Sequence, residues 1–380
     1  MLPNSQSTIL FVDDVLDETD SIARLCEDKA SILKRSFDDV EATDLDAADL
    51  ILVDFNLKDW EKREHVTQLT LRPGDGLAVA ETLRSYYRAT KSAKPVAIAV
   101  LSADLRSLTA PFPPTSREHM VASLAKIEWA FQKGSPITDT ARQLLSLADG
   151  VRQLPASWPH DSAAQKDETL HQLLALPPEA NWTSAAVMDV RRCHPPVQEL
   201  STWSHGLAFL RWMLQRILPY PTFLLDGAQV AIRLGIEPDS FRAGREKNRE
   251  FSEWLAPTVF EGVLHDFRET RFWRAGVDSL IWELTQDNPF DRPALAKAVM
   301  TKLPDARLIT ARNPVASVDK NYEFVGVADA SECVRLRPDD WPLFADSAWA
   351  LKLIVQENEA LQVALEDESD REELGAGIGE

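Results

Sequence analysis

The chain has 380 residues and a formal net charge of −19, which disfavours nonspecific binding to phosphate backbones unless a local basic face exists. Its length suits two domains, or three, and 44% hydrophobic with 27% charged residues places it among soluble globular chains. Three scattered cysteines, Cys26, Cys193 and Cys333, offer neither a disulfide frame nor a zinc spacing and suit a reducing cytoplasm.

The N-terminus, MLPNSQSTIL, has no basic region followed by a long apolar one, so no signal peptide is expected. Thr8 to Val12 is a short apolar strand that runs into two adjacent aspartates, Asp13 and Asp14. Residues 19–36 place Ile22, Leu25, Ile32 and Leu33 among charges, which predicts an amphipathic helix, followed by a weak strand from Val40. Leu50 to Phe55 is a continuous apolar strand that delivers Asp54. Gly76 to Ala89 reads as a helix, and Pro95 to Ala103 as a buried strand that delivers Ser102. A helix is expected within residues 116–127, and Glu128 to Gly134 closes the series as a strand. Such alternation, with unbroken apolar strands, indicates a parallel sheet covered on both faces.

After about Pro136 the texture changes, and prolines mark a linker or long surface loop. Residues 201–303 read as mainly helical. Nine of the eleven tryptophans lie beyond Gly150, which implies a core of large side chains there. The most membrane-like run, Gly206 to Leu225, carries Arg211, Arg216, Pro219 and Pro221. That suits a buried helix with a polar stripe and not a lipid span. A β-like segment is expected over residues 323–336, and the chain ends in an acidic tail. The expected organisation is a first domain over 1–145, a linker-rich segment over 146–200, a mainly helical output or partner-binding domain over 201–368, and a tail over 369–380.

Reactive groups in an open α/β sheet gather beyond the carboxyl ends of the strands. If the sheet is doubly wound, Asp13, Asp14, Asp54 and Ser102 meet at one edge. Adjacent aspartates repel each other unless a cation or proton offsets them. Three carboxylates and a hydroxyl make a hard-oxygen pocket suited to Mg²⁺. A carboxylate there can attack phosphorus, and a lysine can neutralise the phosphoryl oxygens from the other side. Lys133 is the choice for that lysine because it follows an aromatic-rich strand. Lys126 competes but sits in helical periodicity.

The motifs FVDD, LVDFNL, VLSA and QKGSP, in order at strand ends over about residues 5–145, resemble the receiver domain of two-component response regulators. The resemblance implies a flavodoxin-like (βα)5 fold followed by a mainly α-helical C-terminal domain. It implies phosphorylation on Asp54 by a sensor histidine kinase, with Asp13, Asp14, Asp54 and the backbone carbonyl of Asn56 holding Mg²⁺. Ser102 would bond the phosphoryl oxygen and Lys133 would pair with it. Asn56 and Asp104 would influence how fast water removes the phosphoryl group. The chain departs from the family pattern in a short second helix, in a long insert after Asp54 that carries Trp60, and in an extended loop after Ser102.

Other features compete for the function. Ala228 to Phe251 has a helix-turn-helix look, with Arg242, Arg245, Lys247 and Arg249 as a candidate recognition face; the plainer reading is a helical hairpin, and nucleic acid is not the expected partner. Cys193 beside His194 reads as a buried thiol and a surface imidazole, since chain neighbours seldom face each other. The remaining histidines, His65, His119, His160, His171, His205 and His265, show no ligand spacing. Arg335 to Trp349 reads as an aspartate-capped helix start with packed tryptophans. Two heptads from Ile354 to Leu365 are too few for a coiled coil but leave room for a homodimer contact. The expected function is cytoplasmic signalling by protein–protein contact, including service as a phosphoryl sink. No enzymatic activity is expected beyond self-phosphorylation and self-dephosphorylation. A DNA-binding regulator, or a receiver-controlled effector in stress or phage-defence signalling, are the alternatives.

Overall fold

The computed structural model describes residues 6–57, 73–90, 94–109, 117–155, 158, 162–200, 206–286, 288 and 291–374. Most of the insert after Asp54, including Trp60, and most of the extended loop after Ser102 lie outside these residues. The chain forms two compact units. The first comprises Met1–Ala175, Pro195–Pro219 and Glu261–Arg268; the second comprises Leu176–His194, Tyr220–Phe260 and Glu269–Glu380.

The first unit is built on one parallel sheet of β1 (Ser7–Val12), β2 (Ala30–Arg35), β3 (Leu50–Asp54), β4 (Ala97–Ser102) and β5 (Trp129–Gln132). The strand order is β2-β1-β3-β4-β5, the flavodoxin-like order with its switch point between β1 and β3. Helices α1 (Asp20–Cys26), α2 (Ala42–Ala47), α3 (Gly76–Thr90), α4 (Glu118–Ala125) and α5 (Ile137–Gln153) flank it. Alternate residues Leu10, Val12, Ile51, Val53, Ile98 and Val100 face one layer of core with Ala80 and Val121 from α3 and α4. The opposite face packs on α1 and α5, where the Cys26 thiol donates to the Ala141 carbonyl. Burial on both faces is why β3 and β4 are apolar without a break.

Two sequence expectations are corrected here. Residues 19–36 are not one helix: α1 stops at Cys26, and residues 30–35 form edge strand β2 on β1. No strand starts at Val40; helix α2 begins at Ala42. The physical reason is the edge position. Past Ala30 every residue of β2 is at least partly exposed, so Ile32 and Leu33 stand among charges and fit a helical period as well as a strand's.

Later segments complete the first unit. Helix α6 (Ala163–Leu173) belongs to it, whereas α7 (Thr183–Arg192) belongs to the second; α8 (Leu207–Trp212) runs into a π turn, Met213–Ile217, which ends before Pro219. Residues 207–217 and 261–268 pack beside β5. Gln215 donates to the Ile127 carbonyl at 2.9 Å, and Phe267 meets Trp129 edge-on at 5.0 Å.

In the second unit α9 (Gly227–Leu234), α10 (Pro238–Lys247), α11 (Arg249–Leu255), α12 (Arg274–Thr285) and α13 (Arg292–Lys302) enclose a core that includes Leu225, Val230, Phe241, Phe251, Phe272 and Val277. A two-stranded ribbon, β6 (Leu224–Leu225) with β7 (Phe272–Trp273), runs through it. A separate sheet of β8 (Pro314–Val318), β9 (Phe324–Asp329), β10 (Cys333–Leu336) and β11 (Ala348–Leu351) has the order β10-β11-β8-β9. No helix begins within Arg335 to Trp349, contrary to the sequence expectation: β10 leads through turns into β11. Trp341 there packs on Tyr220 and donates Nε1–H to the Asp346 carbonyl.

Candidate metal centre

Register places the site. Val12 pairs with Val53, Asp54 with Leu101, and Ser102 with Gln132, so Asp13, Asp54, Ser102 and Lys133 emerge on neighbouring strands at one edge of the sheet. Oxygens of Asp13, Asp14 and Asp54 lie within 4.8 Å of one another. Asp13 and Asp54 are buried. Local amides fix their orientation: Val15 N–H donates to Asp13 Oδ1 at 2.9 Å, and Asn56 N–H donates to Asp54 Oδ2 at 3.1 Å.

Of their other oxygens, Asp13 Oδ2 is buried and receives no hydrogen bond, whereas Asp54 Oδ1, also buried, faces Lys133. Lys133 Nζ stands 2.9 Å from Asp54 Oδ1 as an ion pair. Burial pushes the Asp13 carboxyl up to about 7, and the charges of Asp54 and Asp14 add to the rise. Burial also raises Asp54, with Lys133 pulling it back. On Lys133 burial opposes the charge, but Glu18 and Asp54 outweigh it and hold the ammonium above its usual range. Two buried carboxylates, Asp13 with a donor-free oxygen and Asp54 with a lysine on its second oxygen, and a third beside them, fit a hard divalent cation such as Mg²⁺.

The other sequence-derived residues fall as follows. Ser102 is buried at the end of β4, and its hydroxyl is engaged with the Asp104 backbone, donating to the carbonyl at 3.0 Å and accepting from the amide at 3.2 Å. It does not hydrogen-bond Asp54. Asn56 meets Asp54 through its amide. Lys133 approaches Asp54, whereas Lys126 is exposed and caps α4 in the left-handed region, before β5 begins.

Two neighbours were not read as parts of the site. Glu18, in the 3-10 turn Leu16–Thr19, accepts from Lys133 Nζ at 2.8 Å; its only signal was an acid shortly after the aspartate pair. Gly76 starts α3 against the strand end: a Cβ there would stand 2.2 Å from the Asp54 carbonyl oxygen. The demand is one of close approach, and the glycine of GDGL marks it.

Neither a protein-family model nor a curated protein matches the chain. Among solved structures, one of two RcsB dimers bound to two parallel DNAs aligns at 10% identity and a TM-score of 0.24, covering 56% of this chain and 99% of that one. The response regulator ChrA of a heme-sensing two-component system aligns at 12% identity and a TM-score of 0.24, covering 78% and 98%. Superpositions this loose carry no argument, and the fold assignment rests on the strand order of the sheet.

The competing candidates do not assemble sites. Helices α9 and α10 meet at a turn where Gly235 takes φ +71. Arg242 pairs with Asp239 at 3.0 Å and Arg249 with Glu253 at 2.6 Å. Arg245 turns to Thr270 and lies over the Phe272 ring. Two of the four basic residues, Arg242 and Arg249, are therefore paired with acids of their own unit. Burial pushes the Cys193 thiol up to about 12, and the neighbouring His194 ring stands edge-on to Phe344. Among the described residues no helix is long and apolar enough to cross a membrane.

Proposed function

We propose that residues 1–145 form a response-regulator receiver that takes a phosphoryl group from the phosphohistidine of a sensor histidine kinase onto Asp54, and that the rest of the chain passes the signal on by protein–protein contact in the cytoplasm. The observation that supports this is the convergence of Asp13, Asp14 and Asp54, with Lys133 on Asp54, at the carboxyl edge of a β2-β1-β3-β4-β5 sheet. The three aspartates and the Asn56 carbonyl would hold Mg²⁺, which when bound supplies positive charge against the phosphoryl oxygens.

A carboxylate oxygen of Asp54 attacks phosphorus. The P–O bond forms as the P–N bond breaks, and the imidazole leaves with the electron pair and takes up a proton. The Asn56 N–H steadies the carboxylate during attack. The Lys133 ammonium then pairs with the phosphoryl group. Ser102 has a second acceptor to serve once that group is present. Turning from Asp104 toward it would release the loop after β4, a local change that partner surfaces can read. The pairing of Arg242 and Arg249 with acids, together with the net charge of −19, favours a protein partner over nucleic acid.

Incubating the full chain with acetyl phosphate and Mg²⁺ tests the reading, followed by intact-mass measurement. The wild type should gain one hydroxylamine-labile phosphoryl group and Asp54→Asn none. Labelling that persists in Asp54→Asn, or an unlabelled wild type, rejects it.

A further inference from the structure

The Lys133 ammonium has two seats. It lies 2.9 Å from Asp54 Oδ1 on the floor of the cluster and 2.8 Å from Glu18 Oε2 at the rim. A cation entering among Asp13, Asp14 and Asp54 repels that ammonium and competes with it for Asp54. With Asp54 as its sole partner, Lys133 would have to give up an ion pair for each cation bound. Glu18 changes that, because its carboxylate already grips the same nitrogen from the solvent side.

We infer that Glu18 is a positioning residue that holds the Lys133 ammonium at the rim and so frees Asp54 for the divalent cation. This rests on the metal reading given above. Glu18 is itself more than half exposed, so substitutions there leave the fold intact. Its reach matters as much as its charge, since the rim seat exists only if the carboxylate meets Nζ.

Calorimetric titration of the full chain with Mg²⁺ alone tests this in four variants. Glu18→Gln should weaken binding by about threefold to fivefold, the size of one partly exposed ion pair. Glu18→Asp keeps the charge but shortens the side chain, and should weaken binding nearly as much. Lys133→Ala should tighten binding, and adding Glu18→Gln to it should then have no further effect, because the residue through which Glu18 acts is gone. Unchanged affinity in Glu18→Gln overturns the inference. So does a Glu18→Gln loss that persists undiminished in the Lys133→Ala background, or a Glu18→Asp variant indistinguishable from wild type; both mean that Glu18 contributes only a distant charge. A wild type that takes up no Mg²⁺ at millimolar concentration rejects the metal reading itself, a result separable from the others.

Discussion

The two ends of the first unit's sheet both bury acids, and they treat them in opposite ways. At the amino end, Glu128 precedes β5. Its Oε2 accepts the Ile98 amide at 2.7 Å, and its Oε1 accepts two hydrogen bonds from Arg211, at 2.8 and 2.5 Å. Asp49 precedes β3 and accepts the Thr8 amide at 2.8 Å, with Lys94 at 2.9 Å. At the carboxyl end, Asp13 keeps a buried oxygen without a donor, Asp54 has only the Lys133 ammonium on its second oxygen, and both carboxyls are pushed upward. Burial is similar at the two ends; satisfaction is not. A buried carboxylate with all its partners serves the fold, whereas one left short of partners is held for something that arrives.

Substitution should separate the two ends most sharply at Asp54 and Glu128. Asp54→Asn is expected to abolish phosphoryl acceptance completely while leaving the metal-free protein at least as stable, since it removes an ill-solvated charge. Glu128→Gln should do the reverse. It leaves the Arg211 guanidinium without its counter-charge, and removing one partner of a buried pair costs roughly 2–4 kcal/mol after allowing for the solvent that guanidinium still sees. Arg211→Met should cost a similar amount by stranding Glu128. Urea unfolding measures the loss, and acetyl phosphate labelling below the transition should be unaltered. If Glu128→Gln is as stable as wild type, the amino end is not the structural end.

Gly76→Ala probes how tightly the carboxyl end is built. The added methyl would collide with the Asp54 carbonyl oxygen and the Phe55 Cα, both backbone atoms with little room to yield. Overpacking of this kind costs about 1–3 kcal/mol. Because the displaced atoms belong to the strand end that aims Asp54, Mg²⁺ affinity should fall with stability, as calorimetry would show. Lost stability with unchanged affinity would place the strain elsewhere.

The difference in legibility between the two ends follows from chain separation. The strands β1, β3 and β4 are unbroken apolar runs with a clear last residue, so their terminal Asp13, Asp54 and Ser102 could be assigned to one edge before any coordinates. Strand β2 escaped because an edge strand is half wet and its few apolar residues also fit a helix. The Glu128–Arg211 pair escaped for another reason: its partners are 83 positions apart, and neither residue type nor local spacing links them. Glu18 was invisible as a partner because its role depends on where a lysine 115 positions later places one nitrogen. Ser102 shows the limit from the other side, since its strand position was readable but its hydroxyl's engagement with Asp104 was not.

The smallest expected effect is a pH dependence confined to the carboxyl end. Asp13 is raised from 3.8 to about 7, first by burial. The native, metal-free state therefore binds this proton more tightly than the unfolded chain does. Its contribution to stability is full below about pH 4, declines as pH rises toward 7, and is flat above. Buried His119 lies well below its usual 6.5, through burial and then the charges of Arg268, Arg117 and Arg216. It contributes a slope of opposite sign, stability lost as pH falls below about 6.5. The informative quantity is thus the difference between wild type and Asp13→Asn at each pH, measured by urea unfolding with a chelator present. Asp13→Asn should gain on wild type by roughly 1–2 kcal/mol between about pH 6 and pH 8. Saturating Mg²⁺ should erase that gain, since the cation does for the native carboxylate what the proton did. A difference that stays constant with pH would mean that Asp13 is as well satisfied as Glu128, and the contrast between the two ends would disappear.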